Sequence, residues 1–147
     1  MLYIQHKKGY SEIVFQTFES IIEKSNITVI KRICEVNLFN YNERIKLTKA
    51  KLNIKTKTPI YINQQILLIP TKSPRQYDTQ WINFFSLLKI VKVNNKTKLI
   101  FKNLKTLNLD ISYNSFMRSV HHAETIIKHL NDVINESCYI ILNNLKR

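Results

Sequence analysis

Glycine occurs once in these 147 residues and proline three times. That scarcity excludes collagen-like and Gly/Ser-linker readings. It also removes every glycine-rich phosphate loop, which needs several residues free of a side chain beside the phosphates. The two cysteines, Cys34 and Cys138, stand far apart and form no Cys-x-x-Cys pair. Without a secretory signal at the N-terminus, they fit a reduced chain of the cytoplasm. No apolar run approaches the roughly 20 residues of a membrane span; the best candidates, Ile66–Ile69 and Ile140–Leu142, are of core length. The expectation is a soluble, cytoplasmic protein with no membrane partner. Its hydrophobic share of 44% is enough for a real core.

Acids are also few: 10 Asp+Glu face 23 Lys+Arg, for a net charge of +13. The total alone says little, because Lys, Asn and Ile dominate and an AT-rich genome produces that composition without selection on charge. The distribution says more. Residues 1–30 hold three bases and three acids, and residues 110–147 hold four of each. Residues 31–109 hold 16 bases against Glu35, Glu43 and Asp78. Codon bias acts on the whole chain and does not account for two neutral ends. A concentrated positive field fits a polyanionic partner, nucleic acid first and anionic membrane second.

Short apolar pieces open the chain and are read as a hairpin, Leu2–Gln5 with Ile13–Phe15, turning at Lys8-Gly9. Ile27–Arg32 is β-branched and reads as a strand. Asn42–Asn53 reads as a short basic helix with Asn42 as its N-cap and Glu43 in its first turn. Ile45, Thr48 and Leu52 recur at helical spacing and form its buried side. That leaves Arg44, Lys46, Lys49 and Lys51 on the other sides. Thr58-Pro59 forces extended chain, so Ile60–Ile62 and Gln65–Ile69 read as strands ending at Pro70, followed by a loop from Thr71 to Gln80.

Trp81–Val93 and Lys96–Lys102 are strand-like, with Asn94-Asn95 as their turn. Thr97, Leu99 and Phe101 alternate with Lys96, Lys98, Ile100 and Lys102, the pattern of a half-buried strand. A third strand, about Lys105 to Ile111, completes an antiparallel meander. Ser112 then caps a long helix reaching about Ile134, with Phe116, Val120, Ala123, Ile127, Leu130 and Ile134 as its apolar stripe. Cys138–Leu145 is a terminal helix or turn. The expected fold class is α+β: one domain over 1–147, with a β meander, a long C-terminal helix and a short basic helix.

The chemistry-bearing residues give no enzyme signature. His121, His122, His129 and Cys138 make no compact chelating pair backed by a second pair, so no metal is expected. Ser112, Ser115 and Ser119 sit in a capping context without a nucleophile elbow. Both cysteines read as buried structural residues. The scattered acids offer no carboxylate dyad. No cofactor and no catalytic residue is expected.

The basic segment is the remaining asset. Lys31, Arg32, Arg44, Lys46, Lys49, Lys51, Lys55 and Lys57 lie in one short stretch that contains only Glu35 and Glu43 as acids. Any one lysine there reads as a solvated residue; the group reads as phosphate-neutralising, with salt-dependent affinity. Arg32, Arg44 and Arg75 suit a narrow, A/T-rich minor groove, where the potential is most negative. No zinc-finger spacing, leucine zipper or RNA-binding aromatic motif is present.

Four segments, in order, carry a resemblance. K-R-I-C-E-V-N-L-F-N-Y-N-E-R spans residues 31–44, with Arg32, Cys34, Tyr41 and Arg44 on the pattern. T-P-I-Y-I spans 58–62. I-L-L-I-P-T-K-S-P-R spans 66–75 and is followed by Trp81-Ile82. L-D-I-S-Y-N-S-F spans 109–116. Together, over roughly 31–130, they resemble the ComK family of competence transcription factors. The resemblance implies a transcriptional activator that binds paired A/T-rich boxes of double-stranded DNA as a homo-oligomer, reads the minor groove, and switches on DNA-uptake genes. It also implies control by an adaptor–Clp protease system. The candidate DNA-binding residues are Arg32, Arg44, Lys46, Lys49, Lys55, Lys57 and Arg75.

The chain departs from the family pattern where Asn42, Glu43 and Leu47 replace glycines and Ile45 replaces a lysine. It also stops at Arg147, where longer relatives continue. The expectation from these departures is weaker DNA binding, or a shortened, non-activating paralogue that acts by protein–protein interaction with a full-length relative. An RNA- or ribosome-associated basic protein is the third reading, and an enzyme the last.

Overall fold

A computed structural model describes residues 1–146, and the surroundings of all their side chains except those at 135, 137–139 and 141. The structural role expected for Cys138 lies outside the described residues. The elements form a mixed α+β fold: β1 (Tyr3–Lys7), β2 (Tyr10–Val14), β3 (Glu19–Ile22), α1 (Asn26–Val36), α2 (Tyr41–Leu52), β4 (Ile60–Asn63), β5 (Ile66–Pro70), β6 (Trp81–Asn83), β7 (Leu87–Val93), β8 (Lys96–Phe101), β9 (Thr106–Ser112) and α3 (Tyr113–Leu145).

Two antiparallel sheets result. The larger runs β3-β2-β1-β6-β5-β4 and the smaller is the expected meander β7-β8-β9. The opening hairpin pairs Tyr3 with Val14 and turns at Lys8-Gly9, where both residues have positive φ. Long-range pairing of Tyr3 with Ile82 and Ile4 with Trp81 joins this hairpin to β6 and completes the large sheet.

Both faces of the large sheet are covered, which accounts for the unbroken apolar run in β5. Leu67 and Ile69 pack on one side with Phe101, Phe116, Val120 and Ala123, the layer made by α3 and the small sheet. Leu68, with Trp81 of β6, packs on the other side against Val29, Ile30, Cys34 and Tyr41, the layer made by α1 and α2. A strand buried on both faces loses the polar alternation of a half-exposed one.

Four local expectations are corrected. Ile27–Arg32 is not a strand; it belongs to α1. Ser25 caps that helix by accepting from the Thr28 N–H at 3.3 Å. Asn26, Val29, Ile30 and Cys34, which recur at intervals of three and four from Asn26, bury one stripe against the sheet, and this packing outweighs β-branched propensity.

The cap of α2 is Asn40, not Asn42: its Oδ1 accepts from the Glu43 N–H at 3.0 Å. Tyr41 is drawn inside the helix because its ring is buried edge-on against Trp81.

Trp81–Val93 is two strands separated by a tight turn at Phe84–Ser86, and the break carries the chain from the large sheet to the small one. Finally, α3 does not stop near Ile134 but continues to Leu145, since neither Gly nor Pro interrupts that stretch. Its start is as expected, with Ser112 Oγ accepting from the Ser115 N–H. Phe116, Val120, Ala123 and Ile126 form its deeply buried stripe, and Ile134 is exposed.

Asn83 fastens the junction of the sheet strands. Its Oδ1 accepts from the N–H groups of Leu67 (3.1 Å) and Phe85 (3.3 Å), and its Nδ2 donates to the carbonyls of Met1 (2.9 Å) and Gln65 (3.0 Å). One buried amide thus spends its full hydrogen-bonding capacity on three chain segments.

Candidate nucleic-acid interface

The cationic residues singled out above do not all occupy one surface. Lys46 and Lys49 stand three residues apart on α2, share its solvent side, and are exposed without an acidic partner among the described residues. Arg32 is exposed on α1, with Nη1 at 3.2 Å from Glu35 Oε2 one turn on. Exposed pairs of this kind contribute little stability and yield readily to a stronger anion.

Arg44 departs from its expected outer position. It turns toward the protein, where Nη1 donates to the Tyr61 carbonyl at 2.9 Å and the guanidinium carbon sits 3.5 Å from the centroid of the Phe39 ring. Helical geometry explains this. Tyr41, Arg44, Ile45, Thr48 and Leu52 are the less exposed positions of α2, and Arg44 flanks that stripe. Burial pulls its pKa down from the usual arginine value, and it stays charged. It lines a cleft of about 240 Å³ between α2 and α3, together with Leu47, Lys51, Leu52 and His129.

The remaining candidates meet at one end of the large sheet. Ile60 pairs with Leu68 and Pro70 with Trp81, so β4 begins, β5 ends and β6 begins at the same edge. The segments 53–59 and 71–80 therefore emerge there together. The first carries Lys55, exposed, and Lys57, half-buried with Nζ donating to Ser115 Oγ at 2.9 Å. The second carries Arg75, exposed on a loop braced by Thr79 Oγ1 donating to the Ser73 carbonyl at 2.6 Å and by the Lys72–Asp78 ion pair at 2.7 Å. Asn26 Nδ2 donates to the Thr79 carbonyl at 3.0 Å and ties this loop to the start of α1.

The described residues include no group of three His, Cys, Asp or Glu able to hold a metal. The Cys34 thiol is fully buried, and burial pushes its pKa up to about 11, which keeps it protonated and inert. Burial, with His121 beside it, lowers the pKa of His122, whose Nδ1 has no hydrogen-bond partner. These are the properties of packed side chains.

One cationic element was not among the candidates. The stretch between Asp78 and Asp110 contains no acid and six lysines, Lys89, Lys92, Lys96, Lys98, Lys102 and Lys105. Its legible signal was that long acid-free interval rather than a local motif.

Comparison with known proteins adds a family. The family model described as ComK protein matches residues 2–135. The competence transcription factor of Bacillus subtilis (strain 168) is 27% identical over 128 residues, covering 85% of this chain and 67% of that protein. No solved structure matches.

Proposed function

Because this chain belongs to the ComK protein family, we propose that it regulates competence genes by binding A/T-rich double-stranded DNA through its cationic surfaces. The family is one of transcription factors and not of enzymes. Action on promoters puts the protein in the cytoplasm, with the chromosome.

The observation that carries the DNA reading is the gathering of Lys55, Lys57 and Arg75 at one end of the large sheet, from segments far apart in sequence. Lys46 and Lys49 on α2, and Arg32 on α1, supply further phosphate contacts. Their role is to neutralise phosphates and release counterions, which makes affinity fall steeply with salt. Arg75 is the candidate for the minor groove, since its side chain is exposed on a braced loop. Arg44 acts as a positioning residue, holding α2 against Phe39 and the Tyr61 carbonyl. Titration of an A/T-rich duplex against a G/C-rich duplex of equal length, at several salt concentrations, tests the reading.

A second reading, interaction with a longer relative in place of activation, is favoured by the distal part of α3. Val133, Ile134, Ile140, Leu142 and Leu145 are exposed there. Pull-down with that relative in the absence of DNA tests it.

A further inference from the structure

We propose that the β7–β8 hairpin, which adjoins Lys57 across the start of α3, is a second duplex-DNA contact whose lysines grip phosphates from the outer face of the small sheet. This rests on the DNA-binding reading above and adds to it a surface that neither the charged central helix nor the comparisons identify.

The register defines that face. Leu99 and Phe101 of β8 point into the core, so their neighbours Lys98 and Ile100 point out. Residues directly opposite in an antiparallel pair share a face. Lys89 stands opposite Ile100, Val91 opposite Lys98, and Val93 opposite Lys96. On the far side, Lys98 stands opposite Asn108 and Ile100 opposite Thr106. Each β7–β8 pair thus sets one lysine beside one β-branched residue, on a strip about 13 Å long from Lys89 to Val93. The core cluster does not include Val91, Val93 or Ile100, so this face is uncovered.

Two bonds to the first turn of α3 make the hairpin adjoin Lys57. The Tyr113 N–H donates to the Asn95 carbonyl at 3.1 Å, which fixes the hairpin tip. Lys57 Nζ donates to Ser115 Oγ at 2.9 Å. Lys96 is paired with Asp110, whereas Lys89 and Lys98 form no ion pair among the described residues.

The occupant is chosen by charge. A lysine strip whose one neighbouring acid, Asp110, is already paired with Lys96, and whose other neighbours are small aliphatic and amide side chains, complements a sugar–phosphate surface. It lacks the exposed aromatic rings on which single-stranded bases stack.

The test compares the intact chain with K89Q/K98Q, and with K46Q/K49Q as reference, for binding to an A/T-rich duplex across a salt series. Circular dichroism and thermal unfolding check that each variant is folded. The expected result is weaker binding by K89Q/K98Q and a salt slope reduced by about 1.8, two phosphate contacts' worth. If K89Q/K98Q binds like the parent while K46Q/K49Q is weakened, the hairpin contact is overturned and the DNA reading stands. If the parent does not bind the duplex at low salt, both fall. If K89Q/K98Q loses affinity only for an RNA of the same length, the hairpin is not a DNA contact.

Discussion

The guanidinium carbon of Arg44 sits over the ring of Phe39, 3.5 Å from its centroid, while the group donates to the carbonyl of Tyr61, so one side chain joins the loop before α2, the helix itself and strand β4. A cation on an aromatic face contributes about 0.5–2 kcal/mol. A hydrogen bond from a charged donor adds a similar amount. Arg44→Ala is expected to lower unfolding free energy by about 2 kcal/mol, and Arg44→Lys to recover only part of it because the planar fork is lost. Urea unfolding measures both.

Lys46 and Lys49 behave oppositely. They are exposed and without acidic partners, so replacing both with Gln leaves stability within about 0.5 kcal/mol of the parent. The same change is expected to reduce duplex affinity evenly across sequences. Unfolding curves and duplex titration on one preparation separate these effects from those of Arg44.

Asn83 is expected to be the costliest polar residue to lose. Asn83→Leu strands the buried Leu67 N–H and takes a partner from the part-buried Phe85 N–H and the Met1 and Gln65 carbonyls. A destabilisation of about 2 kcal/mol follows, since an orphaned buried group costs about 1–3 kcal/mol and the part-buried groups regain water. The accompanying sign is faster amide exchange in β5 and β6, read by hydrogen–deuterium exchange.

Acid stability depends in part on Glu12. Its carboxylate accepts from Lys7 Nζ and Gln5 Nε2, both at 2.9 Å. The Lys7 bond holds its pKa below the usual glutamate value of 4.5, against the opposing effect of burial. A pKa depressed in the folded state gives stability that is present above 4.5 and lost as pH falls through the folded value. Glu12→Gln is therefore expected to flatten the decline of stability below pH 4.5 and to lower stability near neutrality. Thermal unfolding from pH 7 to pH 3 checks it.

The meander was legible because its information is local. Asn94-Asn95 supplies the positive φ of a tight turn, and Thr97, Leu99 and Phe101 show the period of two. Ser112 and the stripe from Phe116 announced α3 equally well. The strand assigned to Ile27–Arg32 failed because β-branched residues state a propensity, whereas the stripe of Val29, Ile30 and Cys34 against the sheet decides the outcome. Pairing of β1 with β6 joins residues about 80 positions apart and leaves no local trace.

The candidate surface was legible as a charge excess but not as a shape. Arg44 could not be told from its lysine neighbours until Phe39 and Tyr61 were placed around it. Lys57 and Arg75 met only through strand register.

The salt dependence of binding to an A/T-rich duplex tests the whole account most directly. Engagement of the exposed central cations with phosphates predicts a log–log slope steeper than about −4, with tighter binding than to a G/C-rich duplex of the same length. Affinity that is absent at low salt, or that is flat with salt and indifferent to base composition, contradicts it.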